Sequence, residues 1–465
     1  MRFGSRIYLL IVNTTDTIAA IATPIGSGGI GVIRISGPDA IELAARVFNP
    51  NPSQQPSHTA RHGRLVHPLT NETIDDAVLT VFHAPKSYTG ENVVEISCHG
   101  GMATLKAALQ AVLEAGSRLA NAGEFTQRAF LNGKLDLAQA EAVNDLIRSR
   151  TDAARKVALS QLGGALSGKV QSLLDEGMGM LAAIEAAIDF PDDVPEPEQE
   201  WIREQATAIR DRLRELLMAF EKGRIYREGL RMAIVGRVNV GKSSLLNALL
   251  RHARAIVTPI PGTTRDLIEE NVEIHGIPIV AIDTAGLRQT DDPVERIGVD
   301  LTHKSIESAD VVLLVVDSSQ GIHEQDRELL SSISGCPVIV VLNKVDLLIE
   351  PELDSVAKSL PDGLVVTRTS AKQGQGIEEL EEAIANIAGA VDVESALVSN
   401  IRHKEAMRSA YDSLGHVLDG LDSGEPIDLL SVDIRSACDS LGLITGSTAT
   451  HDLLERIFSE FCIGK

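Results

Sequence analysis

The segment Gly236-Arg-Val-Asn-Val-Gly-Lys-Ser243 restricts this chain more than any other, because it stands between the apolar stretch Met232–Val235 and the helical stretch Ser244–Leu250. A G-x-x-x-x-G-K-[ST] loop that leaves a strand and enters a helix binds phosphates: glycines let successive backbone N–H groups wrap the oxyanion, and the helix start adds its positive end. Gly236 and Gly241 provide the wrap, Lys242 is expected on the β- and γ-phosphates, and Ser243 offers its hydroxyl to Mg²⁺. Asn239, Val240 and Ser244 complete the expected contacts. Around the loop, the strand-like stretches Ile279–Ile282, Val311–Val316, Val338–Leu342 and Leu364–Thr367 alternate with helical ones. That alternation predicts a doubly wound α/β domain over residues 224–390.

Base recognition has its own signal. Asn343, Lys344 and Asp346 follow one apolar strand as N-K-x-D, and Ser370, Ala371 and Lys372 follow the next. Asp346 is expected to accept the N1–H and N2–H of guanine. Adenine lacks that donor edge, so a carboxylate left unpaired discriminates by roughly 10⁴-fold. Asp283, Thr284, Ala285 and Gly286 close a third strand, which places Asp283 at the Mg²⁺ water shell and the Gly286 N–H at the γ-phosphate. Pro261, Gly262, Thr263 and Thr264 lie between the loop and that strand, with Thr264 expected on Mg²⁺. Leu287 stands where Ras-like enzymes carry a glutamine that orients the attacking water. Another residue must therefore guide the water.

The formal net charge is −22, yet residues 1–150 hold 13 Lys and Arg against 13 Asp and Glu, so the whole acidic excess lies after them. Nucleic-acid affinity rests on neutralised phosphates, so an RNA substrate calls for a partner that helps to hold it. Cys98, Cys336, Cys438 and Cys462 show no C-x-x-C spacing, which argues against a zinc site or disulfides and for a reducing, cytoplasmic compartment. No apolar run reaches the roughly 20 residues that a bilayer needs. Met1–Asn13 reads as a short extension rather than a targeting peptide.

Aromatics are only 3% of the chain, which favours helices packed through Ala and Leu. Thr17–Ser36 reads as two strands around the Gly26–Gly29 turn, Ala40–Phe48 as a helix, Ala77–Phe82 and Val93–Ser97 as strands, and Met102–Ala115 as a helix. Apolar residues then recur at helical spacing from Leu137 to Ile188, from Trp201 to Phe220, and from about Glu394 to Phe461. The expected fold is multidomain: an α+β domain at 1–130, a helical domain in two halves at 131–223 and 391–465, and a Ras-like domain with a mixed, mainly parallel sheet inserted at 224–390.

Across its whole length the chain resembles the MnmE (TrmE) family of tRNA modification GTPases. The resemblance is carried by Ala22-Thr-Pro with Gly28-Gly-Ile-Gly-Val-Ile-Arg-Ile-Ser-Gly37, Gly123-Glu-Phe-Thr-Gln-Arg-Ala-Phe-Leu-Asn132, Lys134-Leu-Asp-Leu-Ala-Gln-Ala-Glu141, Asp189-Phe-Pro191 and Phe461-Cys-Ile-Gly-Lys465. It implies that Asn239 and the loop Thr258, Pro259, Ile260, Pro261, Gly262 and Thr263 hold a K⁺ ion in the place of an arginine finger when two such domains meet. It also implies Glu295 as the catalytic glutamate that positions water. The N-terminal domain is similar to folate-binding domains of the glycine-cleavage type, which implies Arg34, Glu95, Lys134 and Lys465 as contacts of a 5-formyl- or 5,10-methylene-tetrahydrofolate, and homodimerisation. Cys462 is implied in tRNA chemistry as a nucleophile, beside its plainer reading as a small, partly buried thiol. The implied function is GTP-driven modification at C5 of the wobble uridine, nucleotide 34 of certain tRNAs, to aminomethyl or carboxymethylaminomethyl forms. The resemblance also implies an FAD-dependent partner, MnmG, that joins it in a heterotetramer.

A different class stays open, a GTP-controlled switch in ribosome assembly in which no base is altered. The C-terminal region shows no Gly-x-x-Gly loop of a KH module, which weighs against it. A scaffold without turnover is disfavoured by the presence of Lys242, Ser243, Thr264 and Asp283 together.

Overall fold

The computed structural model describes residues 16–252, 254–255, 269–283, 305–389 and 396–465. They form two compact units: one holds the residues up to Asn144 with Gln161–Asp211 and Ala406–Lys465, the other Asp145–Ser160 with Arg212–Glu405.

In the first unit, β1 (Ile18–Ile21), β2 (Ile30–Ser36), β3 (Phe48–Asn49), β4 (Thr59–Val66), β5 (Thr73–Phe82), β6 (Val93–His99) and β7 (Arg118–Leu119) form one sheet in the order β3-β4-β5-β6-β2-β1-β7. Every pairing is antiparallel except that of β1 with β7. The helices α1 (Ala40–Val47) and α2 (Met102–Glu114) bury Leu43, Val47, Leu105 and Val112 in one core with Ile33, Ile35, Val94 and Ile96 of the sheet. Because side chains alternate along a strand, Arg34 and Glu95 then point to the other face. That face is closed by α3 (Glu124–Leu131), whose Phe125 packs with Ile18, Ala20 and Ala120.

An ionic cluster fixes α3. The fully buried Arg128 donates to the carboxylates of Asp16 (2.6 Å), Glu124 (3.0 Å) and Glu91 (3.2 Å), and Arg118 pairs with the same Glu124 at 2.6 Å. Removing one member of such a buried pair costs about 3–5 kcal/mol, so the cluster ties α3 firmly to the sheet.

Helical periodicity continues, with more breaks than the sequence spacing suggested. Leu137–Ile188 forms α4 (Leu137–Arg148), α5 (Asp152–Leu162) and α6 (Ala165–Asp189). The unexpected break before α5 follows from Thr151, whose hydroxyl accepts the Ala154 N–H (3.1 Å) and so caps a new helix. Trp201–Phe220 likewise divides into α7 (Gln199–Met218) and α8 (Phe220–Glu228).

The second unit is built on a sheet of β8 (Leu230–Val235), β9 (Arg254–Ala255), β10 (Glu269–Ile274), β11 (Ile277–Asp283), β12 (Val311–Asp317), β13 (Val338–Asn343) and β14 (Val365–Thr369), in the order β14-β13-β12-β8-β11-β10-β9. The five strands from β14 to β11 are parallel and β10 runs against β11, the Ras-like, doubly wound topology. The helices that alternate with these strands among the described residues include α9 (Lys242–His252), α10 (Glu324–Ser332), α11 (Glu350–Lys358) and α12 (Ile377–Ala388). Central strands covered on both faces read as continuous apolar runs; every residue of β12 is buried. Strand order reverses at β8, so the crevice for a ligand opens beyond its carboxyl end.

The chain returns to the first unit through α13 (Ile401–Ser423), α14 (Ile427–Thr445) and α15 (His451–Ser459). The buried faces of α14 and α6 pack together, with so little space that a Cβ on Gly177 would lie 2.8 Å from the sulfur of Cys438. Among the described residues no helix is long and apolar enough to cross a membrane.

Candidate active site

The loop Gly236–Gly241 leaves the buried strand β8 and enters α9 at Lys242. Two of its residues admit only glycine. A Cβ on Gly236 would lie 2.3 Å from the Val315 carbonyl oxygen, and one on Gly241 2.3 Å from the Asn343 amide nitrogen, both at positive φ. Asn239 adopts the left-handed conformation at φ 65°, which asparagine tolerates better than most residues.

Each end of the loop has its carbonyls held by a side chain. Lys242 Nζ donates to Gly236 O (2.7 Å) and Arg237 O (2.8 Å), Lys344 Nζ to Asn239 O (2.8 Å), and Asn343 Nδ2 to Val240 O (2.9 Å). Asn343 also accepts the Ala371 N–H (3.1 Å) and the Thr369 hydroxyl (3.3 Å) on its Oδ1. This one buried amide therefore ties the phosphate loop to the segment after β14. Ser370 opens a tight turn by accepting the Gly374 N–H at 2.8 Å.

These elements line one cavity of about 740 Å³, with Gly241, Ser244, Asn343, Lys344, Asp346 and Lys372 among its walls. Ser243 is half-buried in the first turn of α9. Asp346 and Lys372 are exposed at the cavity, and the Asp346 carboxylate bonds to no described residue. Asp283 ends β11 opposite Ile234 of β8, beside the start of the loop. Thr258, Pro259, Ile260, Pro261, Gly262, Thr263, Thr264, Thr284, Ala285, Gly286 and Glu295 lie outside the described residues.

Sequence reasoning missed Asp317. It ends β12 with its side chain 2% exposed, pairs with Lys344 Nζ at 2.6 Å, and accepts the Ser319 hydroxyl (2.6 Å) and N–H (3.1 Å). Burial works against its charge, but these bonds outweigh burial and hold its carboxyl below the usual aspartate range. Its only sequence signal is a carboxylate closing an otherwise apolar strand.

A second cluster sits on the N-terminal sheet. Arg34 and Glu95 face each other across β2 and β6, and Arg34 Nε donates to Glu95 Oε1 at 2.8 Å. The guanidinium carbon lies 5.4 Å from the Tyr88 ring centre and 5.6 Å from that of Phe125, which is cation–π range. The C-terminal segment reaches the same place: Arg34 Nη1 donates to Gly464 O (3.2 Å), and Gly123 N to Cys462 O (3.4 Å). Burial and the neighbouring Arg34 lower the Lys465 ammonium from the usual lysine range. Lys134 is exposed and donates to Pro85 O (3.3 Å), on the loop that also supplies Tyr88. Cys462 is exposed. Cys98 is buried, and burial with the nearby Asp75 pushes its thiol up to about 11, so it stays protonated near neutral pH.

A glycine loop, an N-K-x-D asparagine that stitches it to an S-A-K turn, and an open aspartate, all at the switch point of a doubly wound sheet, define a P-loop GTPase domain. A family model described as the MnmE helical domain matches residues 137–462, and one described as the GTP-binding protein TrmE N-terminus matches residues 17–134. Curated proteins called tRNA modification GTPase MnmE align nearly end to end. That of Acetivibrio thermocellus is 46% identical over 97% of this chain and 99% of its own, that of Ligilactobacillus salivarius 47% over 97% and 98%, and that of Desulforamulus reducens 47% over 97% and 99%. The chain belongs to the MnmE (TrmE) family of tRNA modification GTPases, and it hydrolyses GTP in the service of tRNA modification.

Proposed function

We propose that this enzyme couples Mg²⁺-dependent, K⁺-stimulated GTP hydrolysis to modification of C5 of the wobble uridine, with a tetrahydrofolate as one-carbon donor. The observation that carries the nucleotide half is the convergence of the phosphate loop and the unbonded Asp346 on one cavity. Asp346 reads the guanine edge, with Asn343, Lys344 and the Ser370–Lys372 turn as its frame. The loop amides and Lys242 hold the phosphates. Ser243 in the first turn of α9 and Asp283, whose backbone ends β11, are residue types that carry oxygen donors, a set that suits Mg²⁺, which accepts few protein ligands and keeps waters. The bound ion would offset phosphate charge, with Thr264 as a further ligand. The family resemblance supports K⁺ on Asn239, Thr258, Ile260 and Thr263, and Glu295 as guide of the water. Asn239 in its left-handed turn is compatible with that assignment.

The first expectation concerns the monovalent ion. GTP turnover in K⁺ is expected to exceed that in Na⁺ by about 10-fold or more, since a cation at an arginine finger's place draws on an effect of about 10³–10⁵. Equal rates at matched ionic strength remove the K⁺ assignment.

The N-terminal domain, residues 1–130, is read as the folate and dimerisation module. A guanidinium paired with a carboxylate between two aromatic rings suits a flat heterocycle with a polar edge and a carboxylate-bearing tail. Lys134 and Lys465 add positive charge, and Cys462 stands near as the implied nucleophile. Arg34→Ala is expected to weaken 5-formyltetrahydrofolate binding at least about 10-fold by calorimetry, the scale of a lost charge-assisted bond, with GTP turnover unchanged. Unaltered folate affinity would remove Arg34 from that role. The acidic balance after residue 150 leaves RNA binding to be shared with an FAD-dependent partner, MnmG, in a cytoplasmic heterotetramer.

A further inference from the structure

Among its partners Lys242 has the carbonyls of Gly236 and Arg237, and Arg237 has an anchor of its own. Arg237, the first variable residue of the phosphate loop, directs Nε at both oxygens of Asp326 (3.0 and 3.1 Å). The Asp326 side chain is 1% exposed, and its Oδ2 also accepts the His323 N–H (3.0 Å), so the carboxylate is fixed to the start of α10. Arg237 O accepts from Lys242 Nζ at 2.8 Å. An unbroken path of bonds thus runs from α10 through Asp326 and the Arg237 side chain to its peptide, and on to the Lys242 ammonium.

We infer that Arg237 and Asp326 are positioning residues for GTP hydrolysis, acting through Lys242. An ammonium carries three N–H donors in tetrahedral array. The bonds to Gly236 O and Arg237 O help to set the orientation of the group, and so the line along which it meets a phosphate oxygen. Gly236 directly follows β8, and its Cα fits closely against Val315 O, which places its carbonyl. The Arg237 peptide lies past the strand, and its side chain is held by the Asp326 carboxylate and, through Nη1, by Gln320 Oε1 at 3.5 Å, so the guanidinium clamp helps to place that peptide. Losing the clamp leaves Lys242 charged and near the phosphates but no longer aimed. A misplacement of about 1 Å in a group that stabilises a transition state costs up to about 10²-fold in rate. Ground-state binding, spread over many loop amides, changes far less.

The test uses the full chain, with Arg237→Gln and Asp326→Asn as single and double variants. Each single variant is expected to lower kcat for GTP about 10- to 50-fold while GDP affinity changes less than about 3-fold, and the double variant is expected to match the singles, since the two side chains act as one unit. The deciding measurement places Arg237→Gln in a Lys242→Ala background under single-turnover conditions. No further loss of rate is expected there, because the clamp acts through Lys242. A further loss of the same factor overturns the inference in favour of general loop support, and an unchanged kcat in the single variants overturns it outright. Thermal midpoints identify any variant that fails to fold. Asp326→Asn, which keeps the shape of the side chain, then carries the comparison in the same background.

Discussion

Asparagine in place of Asp346 is expected to turn the enzyme from GTP toward xanthosine triphosphate. Asp346 lies in the short turn after Lys344, exposed at the cavity and bonded to no described residue. Its two oxygens are therefore available to accept from the N1–H and the exocyclic amine of guanine. The neighbouring Asn343 cannot substitute, because its amide is spent on Val240 O, the Ala371 N–H and the Thr369 hydroxyl. An asparagine at 346 offers a donor where guanine also donates, whereas xanthine carries a carbonyl at that position. Sites built around such a bond reject a mismatched partner by about 10⁴-fold. The expected outcome is a fall in kcat/KM for GTP by about 10³–10⁴ with a gain for XTP, measured side by side. Retained preference for GTP would remove Asp346 as the base reader.

Lys242→Ala is expected to lower single-turnover hydrolysis by about 10²–10³, the cost typical of removing one donor aimed at developing charge. Two things are lost together: a cation on the phosphates, and the bridge that draws Gly236 O and Arg237 O to one point. Because charge on the transferring group is greatest in the transition state, kcat should fall more than GDP affinity. A variant with lowered GDP affinity and normal kcat would show that Lys242 serves binding alone.

The nucleotide half of the molecule was readable in the sequence because its strands are buried on both faces and its loops are built from residue types with narrow uses. Gly236, Gly241 and Asn343 each satisfy a structural requirement that few other side chains meet. The strand β4 escaped notice for the opposite reason: in Thr59–Val66 only Gly63 and Leu65 are buried, and Arg61, His62 and Arg64 face solvent, so no apolar alternation marks it. The two-residue strands β3, β7 and β9 are too short to show any period. Asp317 and the Arg237–Asp326 pair were invisible because the meaning of an acid or a base depends on partners 27 and 89 positions away. On the N-terminal sheet, Arg34 and Glu95 came from resemblance alone. Only the register of β2 and β6 brings them face to face.

The close seam between α6 and α14 also matters for how the protein is made. The two helices belong to one unit, yet the second unit is translated in between. A ribosome working at about 5–20 residues per second emits α6 roughly 10–50 s before α14 is available. During that wait the face around Gly177, with Leu173, Met180 and Ile184, lacks α14, while the nucleotide unit already has its complete strand set. On this order of synthesis the strands of the GTPase unit are all available while that apolar face still lacks α14, an interval in which a chaperone would have a defined target.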